Sequence, residues 1–174
     1  MANTYTGAAY VSDSDFRYVK WIGRTKGGKA VQIELEKAFC NSNPDWTFEE
    51  KNDTTAQVVF EGAYDDEKLA ADDRTEPWTL TVDGVQAGNG EIVLGVGKFF
   101  IGTTKEDATY VGLTRGGGSF VVEREFREIN ADGDPGLVAG RVEKEMARPK
   151  LTLTALQWLT KIDKLYSCVQ AVTV

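Results

Sequence analysis

A seven-residue motif occurs twice in this chain, and that recurrence restricts its folding more than any other feature. Ile22-Gly23-Arg24-Thr25-Lys26-Gly27-Gly28 matches Val111-Gly112-Leu113-Thr114-Arg115-Gly116-Gly117, the copies standing 89 positions apart. The correspondence continues at the same offset, Val31 with Phe120, Ile33 with Val122, Glu34 with Glu123 and Glu36 with Glu125. Further on the offset becomes 93, aligning Glu50-Lys51 with Glu143-Lys144 and Val58-Val59-Phe60 with Leu151-Thr152-Leu153. Four residues have therefore entered the second copy, and the turn-rich stretch Asn130 to Gly136 is their natural place.

Both copies read as strands. Val31, Ile33 and Leu35 alternate with Gln32, Glu34 and Glu36, and Phe120 and Val122 alternate with Val121, Glu123 and Glu125. That period of two marks a strand with one apolar and one polar face. Lys150 to Leu156 repeats the alternation with threonine outward, and Gln57 to Tyr64 does so less cleanly. Between the copies, Trp78 to Val82 and Glu91 to Leu94 read as further strands separated by Gly88-Asn89-Gly90. Asn41 to Pro44 and Asp83-Gly84 read as turns. Two short helices are expected, at Asp65 to Ala71 and at Thr160 to Cys168, where Thr160 caps and Ile162, Leu165 and Tyr166 form a stripe. A half of roughly 85 residues cannot bury an apolar sheet face alone, whereas two stacked halves can. The predicted fold is mainly β: one β-sandwich domain over residues 1–174, built from a duplicated sheet unit, with pseudo-repeats at about 22–71 and 111–168.

Composition removes several classes of function. The chain has no histidine, which excludes Ser-His-Asp and Cys-His catalysis, most zinc chemistry and any imidazole switch. Its 20 Lys and Arg stand against 27 Asp and Glu, a net charge of −7, which disfavours tight capture of nucleic acid. Cys40 and Cys168 lack metal-knuckle spacing and read as free thiols. The uncharged opening Met1 to Ser12 is far shorter than the ~20 apolar residues of a membrane helix, and no basic segment precedes an apolar run as in a secretory signal.

The remaining motifs dissolve on inspection. Gly23 to Ala30 is one residue from a phosphate loop, but Ala30 has no oxygen for magnesium, a strand pattern follows, and Gly118 replaces Lys29 in the second copy. Asn130, Asp132 and Asp134 imitate a calcium loop whose later positions are wrongly filled by Pro135 and Arg141. The pairs Glu49-Glu50, Asp65-Asp66 and Asp72-Asp73 are adjacent residues, not acids facing each other across a cleft. Trp21, Trp46, Trp78 and Trp158 could form a sugar-stacking platform, though single tryptophans in a small sandwich are usually core. No catalytic residue, cofactor or metal site is expected.

The run Val111 to Phe120, then Glu125-Phe126-Arg127-Glu128-Ile129-Asn130-Ala131-Asp132-Gly133, then Gly140 and Pro149 to Leu153, resembles tail tube (major tail) proteins of long-tailed, siphovirus-type bacteriophages. Ala30 to Ala38 with Phe48-Glu49-Glu50-Lys51 is similar to the companion half of such proteins. The resemblance runs from about Ile22 to Leu165, with the Gly133-containing half second where the family pattern puts it first. It implies a virion structural protein, assembled in the host cytoplasm, whose usually sixfold rings stack into a hollow conduit for DNA ejection. Its partners would be further copies of itself and the tape measure, tail terminator and distal tail proteins, with double-stranded DNA in passage and no membrane.

An acidic bore repels phosphates, so Glu34, Glu36, Glu123 and Glu125, recurring on equivalent polar faces, are candidate lumen residues. A solvated outer face is the plainer account of the same four acids. Open sheet edges and glycine hairpins favour subunit contacts, which singles out Gly27, Gly28, Gly116, Gly117, Val172 and Val174. In a lone subunit, Val169 to Val174 would be a frayed strand, free to join a neighbour's sheet. Two other readings remain: the inner tube of a contractile tail or injection particle, and a carbohydrate-binding β-sandwich module.

Overall fold

The computed structural model describes residues 4–25, 28–44, 55–71, 74–83, 94–129, 141–156 and 161–172. Their order is β1 (Thr4–Gly7), a 3₁₀ turn (Asp13–Asp15), β2 (Arg17–Thr25), β3 (Ala30–Cys40), β4 (Ala56–Gly62), α1 (Asp66–Ala70), β5 (Trp78–Val82), β6 (Leu94–Gly102), β7 (Thr109–Glu128), β8 (Val142–Leu156), α2 (Ile162–Leu165) and β9 (Val169–Val172). The protein is mainly β and sandwich-like, with two short helices.

The principal sheet runs β2-β6-β7-β8-β4-β3-β5, and β2 also pairs with β3, so six strands close on themselves and β5 is added to β3. β3 shares its second edge: Val31 to Leu35 take β5, while Ala38 to Cys40 take β4. Trp21, Phe99, Ile33, Leu35, Leu151 and Leu153 fill the interior with essentially no exposure. Each such side chain contributes roughly 1.5–3 kcal/mol by leaving water. Register slips by one residue between the Val19–Leu35 and Arg17–Ala38 pairs. That extra residue in β3 moves the inward set from Val31, Ile33 and Leu35 to Ala38 and Cys40.

The two segments aligned at offset 93 are strand partners. β4 and β8 run antiparallel with Val58 opposite Leu153, Val59 opposite Thr152 and Phe60 opposite Leu151. These are the residues that the sequence alignment matches, with Val59 and Thr152 directly opposite. The correspondence fails at the glycine motif. In the first copy, β2 turns back into β3, with Gly28 at φ +84. In the second, β7 continues through Gly116 to Gly118 with only a register shift between Arg115 and Ser119. The described residues of the phosphate-loop imitation thus end one strand at Thr25 and begin the next at Ala30, and no helix follows them.

The helices are shorter than expected. Asp65 caps α1 by accepting from the Glu67 N–H at 3.2 Å. α2 ends at Leu165, where the backbone becomes extended at Tyr166, and Cys168, at a left-handed φ of 60, leads the chain into β9. Ile162, Leu165 and Tyr166 still join the core. The strand expected at Glu91 to Leu94 instead begins, among the described residues, at Leu94 and runs to Gly102. The turns expected at Asn130 to Gly136 and Gly88 to Gly90 lie outside the described residues.

β9 is not the frayed tail expected of it. It pairs with β1 of the same chain, Thr4 opposite Val172 and Gly7 opposite Val169. The residues of this ribbon find their partners 162 to 168 positions away, and Val169 packs against the core.

Candidate functional site

Past Phe120 and Leu151 the strands β7 and β8 outrun the body and continue as a two-stranded arm, from Val121 to Glu128 and from Val142 to Lys150. Ile129 N–H donates to the Arg141 carbonyl at 2.9 Å at its far described end. Strand partners share a face, so Phe120, Val122, Arg124 and Phe126 lie on the side of Leu151, Pro149, Ala147, Lys144 and Val142. At the base this side is covered, with Trp78 meeting the Phe120 ring edge-on at 5.4 Å. Farther out it is bare: Phe126 is 61% and Val142 is 40% exposed. The opposite side carries Val121, Glu123, Glu125 and Arg127, with Lys150 bonded to Glu123 at 2.8 Å and Arg127 to Glu143 at 2.7 Å. Beyond Arg124 one side of the arm therefore carries exposed Phe126 and Val142 beside Lys144 and Glu128, and the other side is the more charged, with Val121 49% exposed among its acids.

The four recurring acids have different fates. Glu34 is buried, its carboxylate between Lys20 at 3.4 Å and Lys105 at 2.9 Å. Burial raises its pKa, but the ammonium of Lys105 and the Tyr18 hydroxyl outweigh this, and the net shift is downward. The Tyr18 phenol faces that carboxylate, buried and without a hydrogen-bond partner of normal geometry, and burial followed by the Glu34 charge pushes its pKa up. An open wall at Glu34 is thus corrected: lysines from β2 and from the β6–β7 loop neutralise it. Glu36 is paired with Lys68 of α1, and Glu123 with Lys150. Glu125 is exposed and makes no ion pair among the described residues. Alternation alone could not separate these acids, because the covering lysines come from other elements.

Of the candidate contact glycines, Gly28 sits in the exposed β2–β3 turn, and Gly116 is exposed on β7 with open space where a Cβ would project. Gly117 lies within β7, Val172 is the last residue of β9 paired with Thr4, and Gly27 and Val174 lie outside the described residues. The edge strand β5 went unnoticed as a contact surface. Asp83 N–H and the Pro77 carbonyl bond to β3, so the alternate residues Leu80 and Val82 aim their backbone groups at the outer edge. Among the described residues no strand pairs there. Trp78-Thr79-Leu80-Thr81-Val82 has no charge or proline, the usual guards of such an edge.

Elsewhere the polar groups serve the fold. Asp65 holds α1 and Lys37, at 3.0 Å from the latter. A cleft of about 310 Å³ is lined by Arg17, Thr103, Asp107 and Asp163, but Arg17 donates to the Asp163 carbonyl and Asp107 accepts from Thr103 and Thr104. Trp21 is fully buried and Trp78 half-buried, so the tryptophans do not form one exposed platform; Trp46 and Trp158 lie outside the described residues. Among the described residues no three His, Cys, Asp or Glu side chains converge as metal ligands, and no helix is long and apolar enough to cross a membrane. Compared with protein families, with curated proteins and with solved structures, the chain finds no match.

Proposed function

We propose that this protein is a structural subunit that associates with copies of itself into stacked rings, forming the tail tube of a long-tailed bacteriophage. Such a subunit is assembled in the host cytoplasm, resides in the virion tail, and encloses a path for DNA. The observation that carries the reading is the β7–β8 arm, which projects beyond the body and holds Phe126 and Val142 in water on one side. A lone two-stranded hairpin is marginal in water, so a long projecting one gains most from a partner that covers it. The unguarded β5 edge lies on a different element, and two unlike surfaces on one chain suit head-to-tail contacts, which close into rings or propagate. The net charge of −7 fits a conduit that does not retain phosphates. The resemblance of the glycine motif and of Glu125 to Gly133 to tail tube proteins names the assembly.

The test is negative-stain microscopy and sedimentation of the full chain at high concentration. Rings or tubes are expected, and Phe126→Asp with Val142→Asp should give monomers of unchanged melting temperature. A native protein that stays monomeric at every concentration overturns the reading.

A further inference from the structure

The residue that aims the arm lies outside it. Glu76, just ahead of β5, receives Arg124 Nε at 3.0 Å and Nη2 at 3.1 Å, Lys144 Nζ at 2.8 Å and Trp78 Nε1 at 2.6 Å. Arg124 belongs to β7 and Lys144 to β8, so one carboxylate grips both strands of the arm. The Glu76 side chain keeps 13% of its exposure, whereas Arg124 and Lys144 are 41% and 38% exposed. A two-point guanidinium contact fixes direction as well as distance, which a single lysine contact does not. Nearer the base, Arg148 reaches Glu61 only at 4.0 Å. Farther out, every described residue from Glu125 to Ile129 and from Arg141 to Glu145 is exposed. The grip therefore sits at the last point where the arm still touches the body.

We infer that Glu76 is a positioning residue: by clamping Arg124 and Lys144 it holds the arm in one direction relative to the β5 edge, so that the side bearing Phe126 and Val142 is presented ready for a second copy of the chain. The direction of the arm follows from the clamp alone; the consequence for assembly rests on the function proposed above. With Glu76 removed, the two neighbouring cations Arg124 and Lys144 repel across the arm, and the arm loses this hold on the body. The clamp meets the body through Trp78, whose ring contacts Phe120 and packs against the core.

Amide hydrogen exchange on the full-length protein tests this, comparing native with Glu76→Ala and Glu76→Gln. Exchange at Glu123 to Glu128 and Lys144 to Arg148 should rise about tenfold or more in Glu76→Ala and less in Glu76→Gln, which retains one acceptor oxygen. Amides of Val58 to Phe60 and Leu151 to Leu153 should keep their native rates. Unchanged arm exchange overturns the inference, as does a rise that is equal in the core, since Glu76 would then be a general structural residue. Microscopy of the same samples reads assembly separately: a native protein that forms no rings sinks the proposed function and leaves the clamp standing, while Glu76→Ala with mobile arms and normal tubes severs the clamp from assembly.

Discussion

The indole Nε1 of Trp21 donates a 3.0 Å hydrogen bond to the hydroxyl of Thr114, 93 positions away. That hydroxyl also accepts from the Gly97 N–H at 3.1 Å and donates to the Gly97 carbonyl at 3.2 Å, using its full capacity. Gly23 and Gly97 make room for the ring, since a Cβ on either would stand 2.4 or 2.5 Å from it. The repeated Gly-x-Thr of the motif is thus a packing device: its first glycine seats Trp21, and its second-copy threonine bonds it.

Thr114→Val should cost about 1–3 kcal/mol, because it keeps the shape but leaves two buried N–H groups without an acceptor. Thr114→Ser, which keeps the oxygen, should cost clearly less. Denaturant midpoints of the two variants check this; a Thr114→Val protein as stable as native would mean that the hydroxyl's bonds contribute nothing.

Glu34→Lys is expected to damage the folded body. It would put a third cation beside Lys20 and Lys105 at a site where the carboxylate is 8% exposed. The loss should be roughly 2–4 kcal/mol, toward the lower side of a broken buried pair because Lys105 is itself exposed. The folded pKa of Glu34 is depressed, so its contribution is present above the ordinary glutamate range and disappears as pH falls through the folded value. Thermal melts of Glu34→Gln and native protein should therefore converge in acid. A Glu34→Lys protein with native melting would place the carboxylate in open solvent.

Asp15 joins the two chain ends. One carboxylate oxygen accepts from Ser12 N–H at 2.8 Å and the other from Cys168 N–H at 2.5 Å. Burial raises its pKa, yet these backbone bonds outweigh it and hold the carboxyl below its usual range. Asp15→Ala should cost about 1–3 kcal/mol and loosen β1 and β9 ahead of the body. Limited proteolysis would then cut near residues 8–12 and 167–169 before the core; a cleavage pattern like that of the native chain refutes it.

Glu76 should keep the arm clamped well into acid. The Arg124 guanidinium, then Lys144 and the Trp78 indole, overcome the effect of burial and hold its pKa at about 2. The clamp is complete above the ordinary glutamate range and is released as pH falls through about 2, because a depressed pKa stabilises the ionised side. The indole N–H resonance of Trp78 reports this directly, and a shift centred near pH 4.5 would show an ungripped carboxylate.

What the sequence discloses and what it hides divide along physical lines. That β4 and β8 are strands was legible, because Val58 and Phe60, and Leu151 and Leu153, keep the period of two of a half-buried strand. The same glycine motif yields a hairpin once and a straight strand once, since β3 has β2 to return to while β7 finds β8 as a continuous partner. No local pattern distinguishes those outcomes. The β1–β9 pairing and the Glu76 clamp were hidden for a like reason: each depends on partners 48 to 168 positions apart, brought together by the closed sheet.

If the proposed tube has an acidic bore, the more charged side of the arm is the candidate for its wall. Glu34, Glu36 and Glu123 are each held by a lysine, which leaves Glu125 as the one of the four with no ion pair among the described residues, and Glu123 lies on the same side of the arm. Neither packs against the core, so Glu123→Lys with Glu125→Lys should leave the monomer's melting within about 0.5 kcal/mol of native. If that side of the arm faces the bore, tubes still form but DNA is retained, because each added cation gains a phosphate contact whose strength falls with salt. Electron microscopy of the tubes with ejection measured at low and high salt separates the possibilities. Native ejection at low salt would put Glu123 and Glu125 on the outer surface of the assembly.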